Sequence, residues 1–309
     1  MLLASMWVLP VARAEVCDPN GFRGAYGFSL SGESTMGGTT RPVVSLGRLV
    51  LDGSGNLQGV ASASFMGFFL GNPVTGKYEA RSDCSVTWTL QDGSGGFQHF
   101  AGTMNAEGNR VAFRQNDPGG PGNGILLRTK DTCSGFSLAG SFELTVSGST
   151  VNITTGTGAG RVSLHALLTA DGRNRILASG PDETPEPVGS YEVQDDCFMK
   201  LVVGLPAGQP QTTEMHFRAI LVDDGREVLG MQTDPGTIVA LWLISSSFRT
   251  STSTPIAENW DPRSGTASSA HRSALRRRIR IASCMAGSMP SFDDPTAETG
   301  REGVTIRLD

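Results

Sequence analysis

The sequence contains an internal duplication, and this feature limits the possible folds more than any other. Three blocks recur in one order at nearly constant spacing. They pair 24–32 (GAYGFSLSG) with 140–148 (GSFELTVSG), 76–84 (GKYEARSDC) with 189–197 (GSYEVQDDC), and 115–119 (QNDPG) with 232–236 (QTDPG). Because one domain commonly has about 100–200 residues, a chain of 309 residues suits two domains. We predict two copies of one domain, at 15–131 and 132–245.

The cysteines follow the same duplication. Cys17 and Cys84 belong to the first copy, Cys133 and Cys197 belong to the second, and Cys284 has no counterpart. Four cysteines permit three connectivities, but equivalent copies most simply form equivalent bonds, Cys17–Cys84 and Cys133–Cys197. In the loop-entropy treatment, closing loops of this length stabilises each domain by roughly 4 kcal/mol.

Each copy consists of short runs of alternating apolar and polar residues separated by turn signals, which is typical of an antiparallel barrel or sandwich. The predicted strands of the first copy are 24–31, 43–51, 57–66, 74–81, 84–91, 97–104, 110–115 and 124–129, and the second copy has a similar set. Clusters of Gly, Asn and Asp, such as 52–56 (DGSGN), favour tight hairpin turns between them. We therefore predict an all-β protein of two tandem antiparallel barrels with about eight strands each. An immunoglobulin-like sandwich is the alternative, but the first cysteine of each copy precedes the first strand and no Trp follows at core spacing.

The opening of each copy resembles that of the calycin barrels, the lipocalins and avidins. After a cysteine, Gly24-Ala25-Tyr26 and Gly140-Ser141-Phe142 stand where those families have Gly-x-Trp, so the aromatic residue differs. The Gly-rich 52–59 hairpin is similar to those of avidin-like barrels, and the Gln-x-Asp-Pro-Gly turns resemble those of secreted bacterial repeat proteins. The resemblance covers about 15–245. It implies a calycin-like barrel whose interior is filled by side chains or holds one small ligand.

The N-terminal segment 1–14 (MLLASMWVLPVARA) has an apolar stretch followed by an A-x-A-like end. This pattern predicts a signal peptide cleaved before Glu15, with a buried N-terminal strand as the alternative. Paired cysteines also suit a secreted or periplasmic protein. No later apolar run approaches the ~18 residues of a membrane-spanning helix, and the net charge of −5 gives no electrostatic reason to expect a nucleic-acid partner.

Two histidines, His99 and His216, occupy the same position in both copies, each within a predicted strand. One hypothesis places them inside the barrels as general bases or ligand donors. The alternative is a structural histidine on the polar face or in a hydrogen-bonded core position. The nearby 117–119 and 234–236 segments (DPG) are predicted to be type II turns.

A Tyr-Glu pair also recurs shortly before the second cysteine of each copy, as Tyr78-Glu79 and Tyr191-Glu192. Neighbouring residues in a strand point to opposite faces, so we expect the tyrosines to pack and the glutamates to be solvated. An acid–base pair between a glutamate and a histidine of a neighbouring strand is the alternative. These four residues and the two histidines are the candidate ligand-binding residues.

The sequence has no Cys-x-x-Cys, His-x-x-x-His or Gly-x-Ser-x-Gly motif. We therefore predict no metal, no cofactor and no catalytic residue. The predicted tail, 246–309, is of low complexity, and its cluster of Arg276, Arg277, Arg278 and Arg280 is either part of an unstructured tail or a basic patch for an acidic surface.

The function that these features favour is a secreted, non-catalytic module that binds a small apolar ligand or an extracellular partner. The alternatives are a barrel enzyme of the isomerase or cyclase kind, because the architecture resembles allene oxide cyclase-like barrels, or a purely structural or adhesive repeat protein. The interior of the barrels distinguishes these hypotheses: an open cavity favours a binder or an enzyme, and a packed one leaves the outer surface.

Overall fold

The structure, a computed structural model, describes residues 16–36, 38–93, 95–120, 122–178, 184–204 and 214–247. These residues form sixteen β-strands and three short 3-10 helices, the latter at Pro19–Gly21, Gly135–Ser137 and Asp223–Gly225. The predicted signal peptide and almost all of the predicted tail lie outside the described residues. Within the described ranges, no helix has the length and apolar character that a membrane crossing requires.

The first eight strands close into barrel 1, in which each strand pairs antiparallel with its neighbours in the chain and β8 returns to pair with β1. These strands are β1 (Gly24–Met36), β2 (Thr39–Leu51), β3 (Asn56–Phe65), β4 (Phe68–Ala80), β5 (Ser85–Asp92), β6 (Phe97–Met104), β7 (Arg110–Gln115) and β8 (Gly122–Arg128).

The next eight strands close into barrel 2 in the same way, with β16 pairing with β9. They are β9 (Ala139–Val151), β10 (Gly158–Asp171), β11 (Arg175–Ala178), β12 (Glu186–Val193), β13 (Phe198–Val203), β14 (Met215–Val222), β15 (Glu227–Gln232) and β16 (Thr237–Ser245). The predicted fold, two tandem eight-stranded antiparallel barrels, is confirmed.

One hairpin is longer than the sequence pattern predicts. The predicted strands 57–66 and 74–81 leave 67–73 as a connection, yet β4 begins at Phe68 and continues through Gly71 and Pro73, residue types that are uncommon inside strands. Met66 and Gly67 have φ angles of 55° and 79°, which suit a two-residue type I′ turn that continues the pairing from Phe65↔Phe68. The β3–β4 hairpin therefore extends past the end of β5, whose pairing with β4 stops at Val74↔Asp92.

Both disulfides form with the predicted connectivity, Cys17–Cys84 and Cys133–Cys197. Each joins the segment before the first strand of a barrel to the turn between its fourth and fifth strands. Cys84 and Cys197 both have a φ of 67°, in a region that is uncommon for residues other than glycine. The same conformation in both copies indicates that the cross-link and the turn hold this backbone together.

The two barrels pack side by side: β1, β2 and β3 of barrel 1 contact β14, β15 and β16 of barrel 2, and β8 contacts the Asp223–Gly225 helix. Outward-facing Val44 and Leu46 of barrel 1 belong to the same apolar cluster as the core of barrel 2. Hydrogen bonds cross the interface from Ser64 Oγ to the Thr237 carbonyl, at 2.8 Å, and from Thr129 Oγ1 to the Leu221 carbonyl, at 2.6 Å. Since β15 is buried along its whole length, one of its faces belongs to the core of barrel 2 and the other to this interface.

Candidate functional site

The interior of barrel 1 is filled by aromatic side chains. The Trp88 ring stacks on Phe100, with 5.2 Å between ring centroids, and meets the edge of Phe113 at 4.8 Å. These residues lie on β5, β6 and β7, and Phe28 of β1 closes the group from the opposite wall at 6.5 Å from Phe113. Alternation along each strand brings these residues to the barrel axis, where rings at such separations pack favourably.

The gap beside this cluster has no room for a ligand. It is too small to hold a water molecule, and it is lined by Phe22, Leu49, Leu51, Leu57, Tyr78, Trp88 and Leu126. Barrel 2 is packed instead with buried side chains that are mainly aliphatic, among them Leu144, Val146, Leu164, Leu168, Ile176, Leu201, Phe217 and Leu243. Interiors packed in this way are cores that stabilise the barrels.

The two tyrosines among the candidate residues are part of these cores, as expected. The Tyr78 ring is partly buried against Phe22, with 5.5 Å between centroids. Tyr191 is almost fully buried and donates its hydroxyl to the Leu138 carbonyl at 2.8 Å. Burial raises the pKa of Tyr191 to about 12, so this phenol is neutral at physiological pH.

The two glutamates are solvated, also as expected. Glu79 accepts a hydrogen bond from Arg81 Nε at 2.9 Å, and this bond lowers the pKa of the carboxyl group. Glu192 lies 3.2 Å from Lys200 Nζ. Both glutamates therefore belong to exposed ion pairs on the surface, and such pairs contribute little to stability.

The hypothesis that His99 and His216 lie inside the barrels is wrong. Their side chains are 57% and 51% exposed. Each histidine directly precedes an inward-facing phenylalanine, Phe100 or Phe217, and neighbouring residues in a strand point to opposite faces. Each ring instead meets an aspartate of the Gln-x-Asp-Pro-Gly turn, with Nδ1 to Oδ1 distances of 2.7 Å to Asp117 and 2.8 Å to Asp234.

These contacts form the same cluster in both copies, which we name the His–Asp clasp. In barrel 1, the second oxygen of Asp117 accepts hydrogen bonds from the His99 backbone N–H at 2.8 Å and from Gln115 Nε2 at 2.9 Å. In barrel 2, Asp234 accepts the corresponding bonds from His216 and Gln232, at 2.9 Å and 2.8 Å. Each clasp ties the start of the sixth strand of its barrel to the turn between the seventh and eighth strands.

Burial of the two clasp aspartates opposes their ionisation, but the hydrogen bonds from the histidine backbone, the histidine ring and the glutamine outweigh it. The pKa values of Asp117 and Asp234 are consequently lowered. Of the residues that the structure describes, no three His, Cys, Asp or Glu side chains gather in a way that could hold a metal ion. In each barrel, the hydrogen bonds to the clasp aspartate connect the sixth strand to the turn between the seventh and eighth strands.

The predicted Asp-Pro-Gly turns account for the position of these aspartates. In the first copy, the Gly120 N–H donates to the Asp117 carbonyl at 2.9 Å, and Gly119 has a φ of 75°. This geometry fits a type II turn with Pro118 and Gly119 at its centre. The signal for the clasp was present in the sequence, because the histidine and the aspartate turn recur together in both copies.

A buried ion pair between the barrels was not anticipated. Arg110 of barrel 1 donates to Glu227 of barrel 2, whose other oxygen accepts a bond from Trp242 Nε1 at 2.8 Å. Burial raises the pKa of Glu227, and the Arg110 charge opposes that rise only in part. Because a buried charge is costly without its partner, this pair favours one orientation of the barrels.

Differences between the copies mark the interface in the sequence. At equivalent outward positions, copy one has Gly27 where copy two has Glu143, and copy two has Met231 where copy one has Arg114. Gly27 and Met231 both lie at the interface, where a Cβ on Gly27 would come within 2.6 Å of Val222. The sequence signal for the interface was a small or apolar residue at an outward position in one copy and a charged residue at the equivalent position in the other.

Comparisons with known proteins do not extend this assignment. No protein family and no curated protein matches the sequence. A solved structure from Nitrosomonas europaea, of a protein provisionally named AttH, aligns over 77% of this chain and 99% of its own, with 8% sequence identity and a TM-score of 0.23. Similarity of this degree supports no conclusion about function.

Proposed function

We propose that this protein is an exported, non-catalytic module that recognises an extracellular partner through its outer surface. The observation that carries this proposal is the packing of barrel 1, whose axis is occupied by Trp88, Phe100 and Phe113. A filled barrel offers a rigid outer surface, whereas a ligand carrier needs an enclosed apolar cavity.

Export is supported by the cysteines. Two disulfides at equivalent positions are typical of proteins that fold in an oxidising compartment, such as the periplasm or the extracellular space. The apolar 1–14 segment with its A-x-A-like end supports the same location.

Surface recognition is also supported by the way in which the barrels are joined. The apolar contacts around Leu46 and Ile220 and the Arg110–Glu227 pair connect the two outer walls. Two barrels fixed in this way present one continuous surface. Binding a partner to this surface loses less conformational entropy than binding to two domains that move independently.

Native mass spectrometry of the full-length protein, purified from the periplasm of a bacterial host, tests the proposal. We expect the native mass per chain to equal the denatured mass of one chain, because the packed interiors leave no space for a carried molecule. One or two small molecules bound per chain would contradict surface recognition and identify the barrels as ligand carriers.

The Trp88→Ala variant provides a positive control for this assay. Removing the indole leaves a cavity lined by Phe100 and Phe113, and enclosed apolar cavities of this kind bind small aromatic molecules. We expect benzene to bind to the folded variant and not to the wild type. Equal binding by both proteins would show that the native interior is already open.

A further inference from the structure

The free edge of β4 combines three properties that point to a docking surface. Residues 68–73 pair with β3 on one side, and among the described residues no strand covers their other side, because the β4–β5 pairing stops at Val74. An uncovered strand edge carries unpaired N–H and C=O groups that can form hydrogen bonds with another strand.

The turn geometry determines which backbone groups face outward. In a hairpin with a type I′ turn, the residues that flank the turn, here Phe65 and Phe68, form a hydrogen-bonded pair, and such pairs then occur at every second residue. Leu70 and Asn72 therefore direct their N–H and C=O groups to β3. Phe69 and Gly71 direct theirs to the free edge, where Pro73 contributes a carbonyl but no N–H.

The side chains along this edge lack the protection that exposed strands usually have. Phe68 and Leu70 are 52% and 57% exposed on one face, and Phe69 is 38% exposed on the other. No charged residue occurs between Met66 and Gly76. Isolated edges are usually blunted by charges, and an uncharged apolar edge instead favours association.

We propose that a second copy of this chain docks on this edge, so that β4 pairs antiparallel with β4 of its partner across a two-fold axis. In the register that places Leu70 opposite Leu70 of the second copy, Phe69 lies opposite Gly71 of the second copy on both sides of the axis. All four N–H groups at the two edges then donate to carbonyls of the opposite strand.

The length and charge of the edge favour a second copy over an unrelated strand. The free segment is bounded by the Met66-Gly67 turn at one end and by β5 at the other, and in this register residues 68–72 of one copy lie opposite residues 72–68 of the other. Its centre has no charge, so self-pairing brings no like charges together. A two-fold contact also closes on itself, because it consumes both edges and leaves none for further growth.

Disulfide trapping tests the proposed register. In a Cys284→Ser background, Leu70→Cys places two thiols at a non-hydrogen-bonded pair, where the Cα atoms are about 4.5 Å apart, within the range for a disulfide. We expect a covalent dimer under mild oxidation. Leu167→Cys is the matched control, since Leu167 is 59% exposed on the outer wall of barrel 2 and should remain monomeric.

Light scattering of the uncross-linked protein over the micromolar range provides a second measurement. We expect twice the monomer mass for the wild type, a single mass for Leu70→Lys, and no change for Leu167→Lys, with all three melting alike. A monomeric wild type, a dimer that survives Leu70→Lys, or equal trapping of both cysteine variants would overturn the proposal. A monomer that instead binds an apolar extended peptide would also overturn it, and would identify the edge as a site for a foreign strand. These outcomes are independent of the small-molecule content that tests the proposed function.

Discussion

At the scale of single residues, both barrels use the same local structures in the same places. The His–Asp clasp, the left-handed cysteine and the turn aspartate are each present twice. Asp52 accepts backbone hydrogen bonds from Ser54 and Asn56, and Asp171 accepts them from Arg173, Asn174 and Arg175. These hydrogen bonds lower the pKa of both carboxyl groups. They also fix the conformation of the turns and so hold the hairpins in register.

The clasps predict an acid-dependent loss of stability. Because the folded pKa of Asp117 and Asp234 lies below the unfolded value, the unfolded state binds more protons as the pH falls. Their contribution is complete above an unfolded pKa of about 4 and is lost as the pH falls through the folded pKa. We expect Asp117→Asn and Asp234→Asn each to lower the free energy of unfolding by about 1 kcal/mol at pH 7, the scale of one such hydrogen bond.

Urea denaturation from pH 7 down to the acid limit measures this effect. The difference between wild type and each variant should shrink as the pH falls, because protonation removes the same charge that the substitution removes. Asp131→Asn is the control, since Asp131 is exposed and its loss changes the net charge equally. A difference that stays constant with pH would mean that the aspartate charge is not what stabilises the clasp.

At the scale of elements, the strands of the two barrels differ in how many of their faces are buried. In β5 and β7 of barrel 1, buried residues alternate with exposed or partly exposed ones, and β6 buries only Phe100 and Met104, so these strands contribute to a single core. In β14, β15 and β16 of barrel 2, buried residues follow each other without alternation. These three strands contribute to the barrel core on one face and to the interface with barrel 1 on the other.

The aromatic core predicts a large effect of truncating its central residue. Trp88 is 4% exposed and contacts two rings, so Trp88→Ala removes packing and leaves a cavity. We expect the free energy of unfolding to fall by about 3–5 kcal/mol, and by less in Trp88→Phe, which keeps an aromatic ring. Guanidinium denaturation measures both values. Equal, small losses would indicate that this part of the barrel relaxes or was loosely packed.

At the scale of the whole molecule, the duplication did not produce a two-fold symmetric pair. Barrel 1 uses its first, second, third and eighth strands at the interface, and barrel 2 uses its sixth, seventh and eighth strands together with the Asp223–Gly225 helix. Outward positions on these faces have diverged, so that Leu46 of β2 corresponds in register to His165 of β10, which lies on a face that is not part of the interface. The interface is therefore asymmetric, and each copy is specialised for its side of it.

This asymmetry predicts that one exchange between the copies will separate the barrels. Gly27→Glu gives copy one the residue that copy two carries as Glu143, which a first strand evidently accommodates. At Gly27, however, the side chain would be forced against Val222 and Ile220 and would bury a charge without a partner. We expect both barrels to remain folded but to melt in two separate transitions.

Calorimetry and small-angle scattering measure this outcome, and the radius of gyration should increase in the variant. Gly93→Glu is the matched control, because a Cβ at Gly93 meets open space, and it should behave as the wild type does. A single transition and an unchanged radius in Gly27→Glu would show that the interface tolerates the charge.

The sequence alone was sufficient for those features that depend on local pattern and on duplication. The all-β class, two eight-stranded barrels, the pairing of four cysteines and the packed tyrosines with solvated glutamates all follow from alternation, turn chemistry and equivalence between copies. These signals come from neighbouring residues and occur in both copies, so the pattern in one copy supports the interpretation of the other.

Only the tertiary structure decided how distant segments meet. The sequence pattern does not state whether a barrel is filled, because that depends on how the rings of Trp88, Phe100 and Phe113 share one axis. It also does not state that His99 meets an aspartate 18 residues away, that β4 continues past a Gly and a Pro, or that Arg110 reaches Glu227 in the other barrel. Strand register, closure and domain packing determine these contacts, and they depend on the free energy of the whole assembly rather than on neighbouring residues.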